Sequence, residues 1–279
     1  MKYGPIRKRD FLGREKTFSK EFDFTKKTAM VIDMNIDWDY SNRARTYDKR
    51  AEYSSVAIEQ AIGYTGLSPA SVVADIGAGT GKLTKLLANY FSKVLAIEPN
   101  LNMRQHGQAN VNVGHVVWSE GTAEVTRMDP GSVAAVYFGS SFNVVNPELT
   151  VKEIARITEL GGWFTCLWNH RDTEDVIQSE IEKLIQFHIP NFQYGTRRQD
   201  PTKFMESTGI FEDVTFFEDR FEVFMSKSDI VEAWESHETL HRQSGDKFEE
   251  LVNKISNLIP EEGTAVPYFT RIWVSQIIK

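Results

Sequence analysis

Apolar positions recur along this chain in two alternating rhythms. From about Ser54 the spacing of Val56, Ile58, Ala61 and Ile62 predicts a helix that stops near Gly63 and Gly66. Short apolar runs then predict strands at "SVVADIG", "KVLAIEP", "VGHVVWSEG", "SVAAVYFG" and "WFTCLWNH". Between them "KLTKLLANYF", "MRQHGQAN" and "ELTVKEIARITELGG" have helical spacing, the last closed by a glycine pair. Strands that are apolar on both faces and alternate with helices predict a parallel sheet covered on both sides. The right-handed crossover rule makes this a doubly wound, Rossmann-like α/β fold.

From about Thr173 the pattern changes. "EDVIQSEIEKLIQFHIP" predicts an amphipathic helix with Ile177, Ile181, Leu184 and Ile185 on one side, followed by the aromatic and basic stretch "NFQYGTRRQDPTKFMESTG". Next come a β-rich run, "FEDVTFFEDRFEVFMS", a helix from Asp229 to about Arg242, and another over "DKFEELVNKISNLI". Phe216, Phe221 and Val223, with Phe269, Ile272 and Val274 in the final run, suit two late strands paired like a hairpin at one sheet edge, giving a mostly parallel sheet with an antiparallel edge strand. The expected organisation is a basic arm over 1–45 and one domain over 46–279, carrying a substrate-cap insert at about 173–245.

In sheets of this kind ligands bind outside the carboxyl ends of the strands, which directs attention to "VVADIGAGTGKLTKLLANYFSKVLAIEPN". Glycines 77, 79 and 81 permit a sharp turn and a close backbone approach to a ligand. The run is no phosphate loop, because Gly81-Lys82 is followed by Leu83, and its G-x-G-x-G spacing differs from the dinucleotide fingerprint. Asp75 ahead of the loop would repel a pyrophosphate and attract an ammonium. S-adenosylmethionine carries an ammonium, a sulfonium and no phosphate, and Glu98, closing the second strand, is placed to accept hydrogen bonds from a ribose.

Together "DIGAGTGKLTKLLA", "VLAIEPN" and "EGTAE" resemble the class I S-adenosylmethionine-dependent methyltransferases, in the bacterial small-molecule branch near the trans-aconitate and ubiquinone-type enzymes. The resemblance covers about 43–172 and, loosely, the final strands. It implies that the backbone of Gly77, Ala78, Gly79 and Gly81 approaches the methionine moiety and that Glu98 binds the ribose. Pro99, Asn100 and Met103 would face the adenine, and Thr122, Ala123 and Glu124 would border it. Gly139 and Ser140, at the end of the fourth strand, complete the cofactor candidates. "LWNHRD" is similar to a signature of the same branch, and Tyr47, Arg50 and Tyr53 match an amino-terminal motif that would close over the cofactor, with Ala51 where that motif has proline. The branch often has a His-Trp pair after the fourth strand; here Asn143-Val144 stands instead, so no general base is assigned there.

Methyl transfer is an in-line displacement at a sulfonium carbon, which demands alignment and exclusion of water. His170, after the fifth strand, and Tyr53 are the candidate catalytic side chains. Candidates for the acceptor site are Phe142, Asn143, Trp168, Asn169, Tyr194, Arg197 and Arg198, the arginines suiting an anionic group. His188 reads as a helix-end residue and His237 with His241 as an exposed i,i+4 pair, and no grouping resembles a zinc motif. The expected activity is methylation of a small molecule on carbon or oxygen, with an isoprenoid, an indole or a carboxylate compound as examples. A non-catalytic cofactor-binding scaffold or sensor is the competing class.

Charge narrows the partners. Residues 1–30 hold nine Lys/Arg against four Asp/Glu, a net of +5, which leaves −12 on the remainder of a chain whose net charge is −7. An acidic body argues against nucleic acid as the main partner; the basic arm suits an acidic partner surface or a neighbouring subunit in a homo-oligomer, or is a solvated terminus. No apolar run is long enough for a membrane span, the amino terminus lacks a signal-peptide core, and the single cysteine, Cys166, fits a reducing compartment. A soluble, cytoplasmic protein is the expectation.

Overall fold

A computed structural model of the chain describes residues 50–195 and 198–278. The basic arm, Tyr47 and Arg197 lie outside the described residues. Seven strands form one sheet: β1 (Val72–Ile76), β2 (Lys93–Ile97), β3 (Val116–Ser119), β4 (Val133–Gly139), β5 (Thr158–Arg171), β6 (Thr215–Met225) and β7 (Thr264–Gln276), in the order β3-β2-β1-β4-β5-β7-β6. β1 to β5 are parallel, and β7 pairs antiparallel with both β5 and β6. The sheet is Rossmann-like and mostly parallel, with its reversed strand in the late β6/β7 pair at one edge.

The helices are α1 (Ser55–Thr65), α2 (Lys82–Leu87), α3 (Leu101–Asn110), α4 (Pro147–Ile157), α5 (Val176–His188), α6 (Thr202–Thr208), α7 (Lys227–Glu235), α8 (Glu238–Ser244) and α9 (Phe248–Leu258). Their starts are chemically marked. Ser54, Asn100, Asn146, Asp175 and Ser226 each accept a hydrogen bond from a first-turn amide, and Pro147 occupies the first position of α4, where its missing N–H costs nothing.

Three apolar clusters result. One face of the sheet packs Ile76, Val136, Phe138, Phe164 and Trp168 against Ile154 and Ile157 of α4. The other packs Val73, Tyr137, Leu167 and Ile272 against α1 and α2. The third lies in the second half, where Ile181, Ile185, Trp234, Leu251, Ile255 and Tyr268 build a core of their own. Burying aliphatic side chains such as Ile181, Ile185, Leu251 and Ile255 is worth about 1.5–3 kcal/mol each, which gives the second half its own source of stability.

The structure differs from the pattern reading at four places. Val56 is half exposed, and Ala57 takes its place on the buried face of α1. The glycine pair does not end a helix but lies inside β5: Gly161 has φ +74, and a Cβ on Gly162 would stand 2.8 Å from the Ala134 carbonyl, so only glycine lets β5 pass β4 this closely. The helix expected over 229–242 breaks at Ser236, because His237 caps a new helix through its own side chain. Phe216 on β6 is half exposed on the outer strand instead of facing the core.

Candidate active site

The turn after β1 is a backbone structure. Gly77, Gly79 and Gly81 all have positive φ, at 71°, 57° and 88°. At Gly77 a Cβ would also meet the Ser141 side chain at 2.6 Å, and at Gly81 it would meet Val111 at 2.8 Å. The loop is pinned to its neighbours, with the amides of Gly77 and Ala78 both donating to the Ile97 carbonyl and the Ser141 hydroxyl donating to the Ile76 carbonyl at 2.6 Å. Ser141 and Thr84 were not singled out in the sequence, where a hydroxyl carries no signal of its partner.

Asp75 is fully buried and turned beneath the loop, where it accepts a 2.6 Å hydrogen bond from Thr84. It therefore supports the loop and does not stand at the ligand's surface as the sequence suggested. Its Oδ1 has no hydrogen-bond partner. Burial pushes its carboxyl up to about 7, the Thr84 hydrogen bond opposes this in part, and the nearby Glu98 charge adds to the rise.

Glu98 closes the gap between β2 and the loop. One carboxylate oxygen accepts from the Gly79 amide at 2.9 Å and the other from the Asn100 amide at 2.8 Å. Each oxygen retains a second acceptor position. Burial raises the Glu98 carboxyl above its ordinary range, opposed by these two amides and by the Arg104 charge. Asn100 caps α3 through Met103, whose thioether methyl lies beside Gly79, while Pro99 is exposed. Ala123 is buried and Thr122 exposed, and Glu124 accepts from the Asn146 amide at 2.7 Å, tying this loop to the start of α4. Thr126, next along, donates through both its amide and its hydroxyl to Glu153, which Arg156 also holds; hydrogen bonding from Arg156 keeps the Glu153 carboxyl down at about 2.

At the end of β4, Gly139 has no room for a side chain: a Cβ would come within 3.1 Å of the Tyr53 hydroxyl. That hydroxyl shares a 2.9 Å hydrogen bond with Ser140, itself at φ 59°. Asn143 accepts from the Trp168 indole at 2.9 Å, so its amide is committed to holding a tryptophan. Phe142 is buried among Phe138, Phe164 and Phe204 and is core, not a pocket wall. Trp168 is likewise buried. Asn169 donates to the carbonyls of Ala51 and Glu52 and accepts from Thr270, so it ties the segment before α1 to the sheet. Arg50 is turned to Ser236, with a 2.6 Å hydrogen bond to its carbonyl, rather than to the glycine loop.

His170 lies farther out. Gly139 pairs with Leu167 in the sheet, so His170 stands about 10 Å beyond the end of β4 along β5. With Arg171, Asp172, Thr173, Glu174, Arg198, Phe269 and Arg271 it lines a cavity of about 270 Å³. Tyr194 donates to Glu182, and Arg198 reaches the same carboxylate at 3.1 Å while lying 3.3 Å above the Tyr194 ring. Arg171 lies 4.1 Å above the buried Trp234 ring, an arrangement the sequence did not signal because the two residues are far apart in the chain. The expected exposed histidine pair is corrected at His237, which is buried, caps α8 with Nδ1 and stacks on Trp234. Among the described residues, no group of three or more His, Cys, Asp or Glu could hold a metal ion, and no helix is long and apolar enough to cross a membrane.

Residues 74–166 match the family described as "Methyltransferase domain". Uncharacterised methyltransferases of Mycobacterium tuberculosis and Mycobacterium bovis are 37% identical over 100 residues, covering 36% of this chain and 40% of theirs, so the match spans less than half of those relatives. In fold the chain is similar to a candidate type II methyltransferase from Anaeromyxobacter dehalogenans (17% identity, TM-score 0.57, 82% of this chain and 98% of that one). It is also similar to a candidate methyltransferase from Bacillus halodurans C-125 (15% identity, TM-score 0.51, 80% and 99%). Residues 74–166 thus match a methyltransferase domain, and the strand order and glycine loop around them fit the Rossmann-like fold of the S-adenosylmethionine-dependent methyltransferases.

Proposed function

We propose that the protein transfers a methyl group from S-adenosylmethionine to a small molecule bound under the cap. The observation that carries this reading is Glu98: a buried carboxylate at the end of β2, locked to Gly79 and Asn100, with an acceptor position left on each oxygen. A ribose offers two hydroxyl donors to such a pair. The glycine loop beside it has no side chains to obstruct a close approach, and Asp75 beneath supplies negative charge that favours a ligand ammonium.

When bound, the cofactor supplies an activated methyl group, and the protein's own contribution is alignment and dryness. Tyr53, held by Ser140, brings its hydroxyl to the end of β4 and would orient the acceptor there. His170 stands about 10 Å beyond the end of β4, out of hydrogen-bond reach of an acceptor atom held there, and faces the cavity farther out, where it would touch another part of the acceptor. A non-catalytic module is favoured by one observation, that Asn143 is committed to Trp168 and supplies no base. The acidic charge of the body supports a small-molecule acceptor over a nucleic acid.

Calorimetric titration of the full chain with S-adenosylmethionine, then with its demethylated product S-adenosylhomocysteine, tests the cofactor. Saturable binding of both, with the product at least as tight, is expected; absence of binding would remove the reading. Turnover against a panel of carbon and oxygen acceptors then separates an enzyme from a scaffold.

A further inference from the structure

We propose that the cavity beside His170 is an oxyanion subsite, in which Arg171 and Arg198 hold a carboxylate or phosphate group of the methyl acceptor. The proposal rests on the methyltransferase reading and names the class of acceptor.

Three arginines line this cavity, and they are not equivalent. Arg271 is bonded to Glu218 across the β6/β7 pair. Arg198 spends one contact on Glu182, 3.1 Å away. Arg171 has no carboxylate partner among the described residues, and its guanidinium rests on the Trp234 ring. Of the two acids in the lining, Asp172 is already matched by Arg220 at 2.9 Å, and Glu174 is exposed. The cavity is left with a surplus of positive charge.

The rings that carry two of these arginines explain how they are held. Tyr194 meets His237 edge-on at 6.1 Å between ring centroids, and His237 stacks on Trp234 at 5.2 Å, so three rings from two segments of the chain form one surface. Arg198 lies over one end of it and Arg171 over the other. A guanidinium held over a ring is positioned without losing its N–H donors to the ring. Two such forks at one cavity suit the bidentate pairing by which arginine binds a carboxylate or phosphate. Trp234 is buried, and its indole N–H has no hydrogen-bond partner. A volume of about 270 Å³ sits just below the range of about 300–1,000 Å³ for whole small-molecule sites, which fits the charged head of a ligand whose reacting end lies toward Tyr53.

The test uses the full chain saturated with S-adenosylhomocysteine, titrated calorimetrically with citrate and, separately, with inorganic pyrophosphate. Saturable binding of at least one is expected, and the stronger of the two tells carboxylate from phosphate. Arg171→Gln should weaken it by about tenfold or more, the value of a charge-assisted bidentate contact, and Arg171→Lys should fall between, since it keeps the charge and loses the fork. Affinity for S-adenosylhomocysteine should stay within about twofold in both variants, which reports that they are folded. If the wild-type protein binds S-adenosylhomocysteine and neither anion, or if Arg171→Gln binds the anion unchanged, the subsite is wrong and the methyltransferase reading stands. If the wild-type protein fails to bind S-adenosylhomocysteine, it is the methyltransferase reading that falls, and an anion response sensitive to Arg171 then supports the cavity alone.

Discussion

The glycine-loop half and the cap half of the molecule hold their polar groups in opposite ways. Around the loop, side chains mostly serve backbone: Glu98 takes two amides, Ser141 a carbonyl, Glu124 and Asn100 an amide each, with Thr84 on Asp75 and Tyr53 with Ser140 as exceptions. In the cap, side chains serve one another across long stretches of chain, as with Arg171 on Trp234, Arg198 with Tyr194 and Glu182, and Asp172 with Arg220. A site built on backbone keeps its shape when single side chains change, whereas a site built from side-chain pairs can be retuned by one substitution. The first arrangement suits a fixed cofactor and the second a variable acceptor.

The largest expected effect separates the two halves by stability. Trp234 is buried in the cap core and carries Arg171 on its face. Trp234→Ala should cost about 3–5 kcal/mol, lowering the thermal midpoint while leaving affinity for S-adenosylhomocysteine near that of the wild-type protein at a temperature where both are folded. Equal loss of cofactor affinity would show that the halves are one cooperative site. Next is Glu98→Ala, which should weaken S-adenosylhomocysteine by about 1.5–3 kcal/mol, the range for hydrogen bonds to a charged group. Here the affinity should move more than the thermal midpoint, because the two amides it releases lie at the site's rim and regain water. Unchanged affinity would take Glu98 out of the site.

The same contrast explains what could be read from the sequence. The loop was legible because its function needs residues without side chains at fixed local spacing, and because Asp75 and Glu98 close strands whose apolar runs mark them. Its chemistry was read one step off, since nothing in the string tells whether Asp75 points at the ligand or below the loop. The sequence places Phe142 and Trp168 among the acceptor-site candidates, yet both are core; an aromatic residue beside a strand end looks the same in either role. The stacked surface of Tyr194, His237 and Trp234 is not legible at all, because it exists only once the stretch after α5 and the break between α7 and α8 are brought together. Gly161 and Gly162 misled for a related reason, since glycine marks close backbone approach as readily as a helix end.

The third prediction uses the buried acid under the loop. With its carboxyl at about 7, Asp75 is largely protonated under mildly acidic conditions, and the charge that would attract a ligand ammonium appears as pH rises. Affinity for S-adenosylhomocysteine should therefore strengthen from about pH 5.5 toward neutrality, by at most about tenfold per unit, and level off above about 7. The apo protein should run the other way. A raised carboxyl favours the folded state fully below the unfolded value of 3.8, and this contribution is lost as pH rises through about 7. Asp75→Asn should flatten both curves. An affinity profile in Asp75→Asn as steep as the wild-type one would assign the pH dependence to another group.

The smallest expected effect concerns Tyr53, which sits where the two halves meet. Its hydroxyl touches Ser140 at the end of β4, and its backbone follows the Ala51 and Glu52 carbonyls held by Asn169. If the hydroxyl only positions Ser140, Tyr53→Phe removes one neutral hydrogen bond, worth about 1 kcal/mol, and affinity for S-adenosylhomocysteine falls by about fivefold with little change in thermal midpoint. If it also touches the acceptor in the transition state, the turnover number falls much further than cofactor affinity once an acceptor is in hand. Ser140→Ala is the discriminating partner, since it removes the same hydrogen bond and leaves the phenol. Matching losses in Tyr53→Phe and Ser140→Ala assign the pair to loop positioning, and a larger loss of turnover in Tyr53→Phe alone assigns the phenol to the acceptor. Either result fixes where the backbone-held half ends, because Tyr53 reaches from the segment tied to Asn169 into the turn beside the glycine loop.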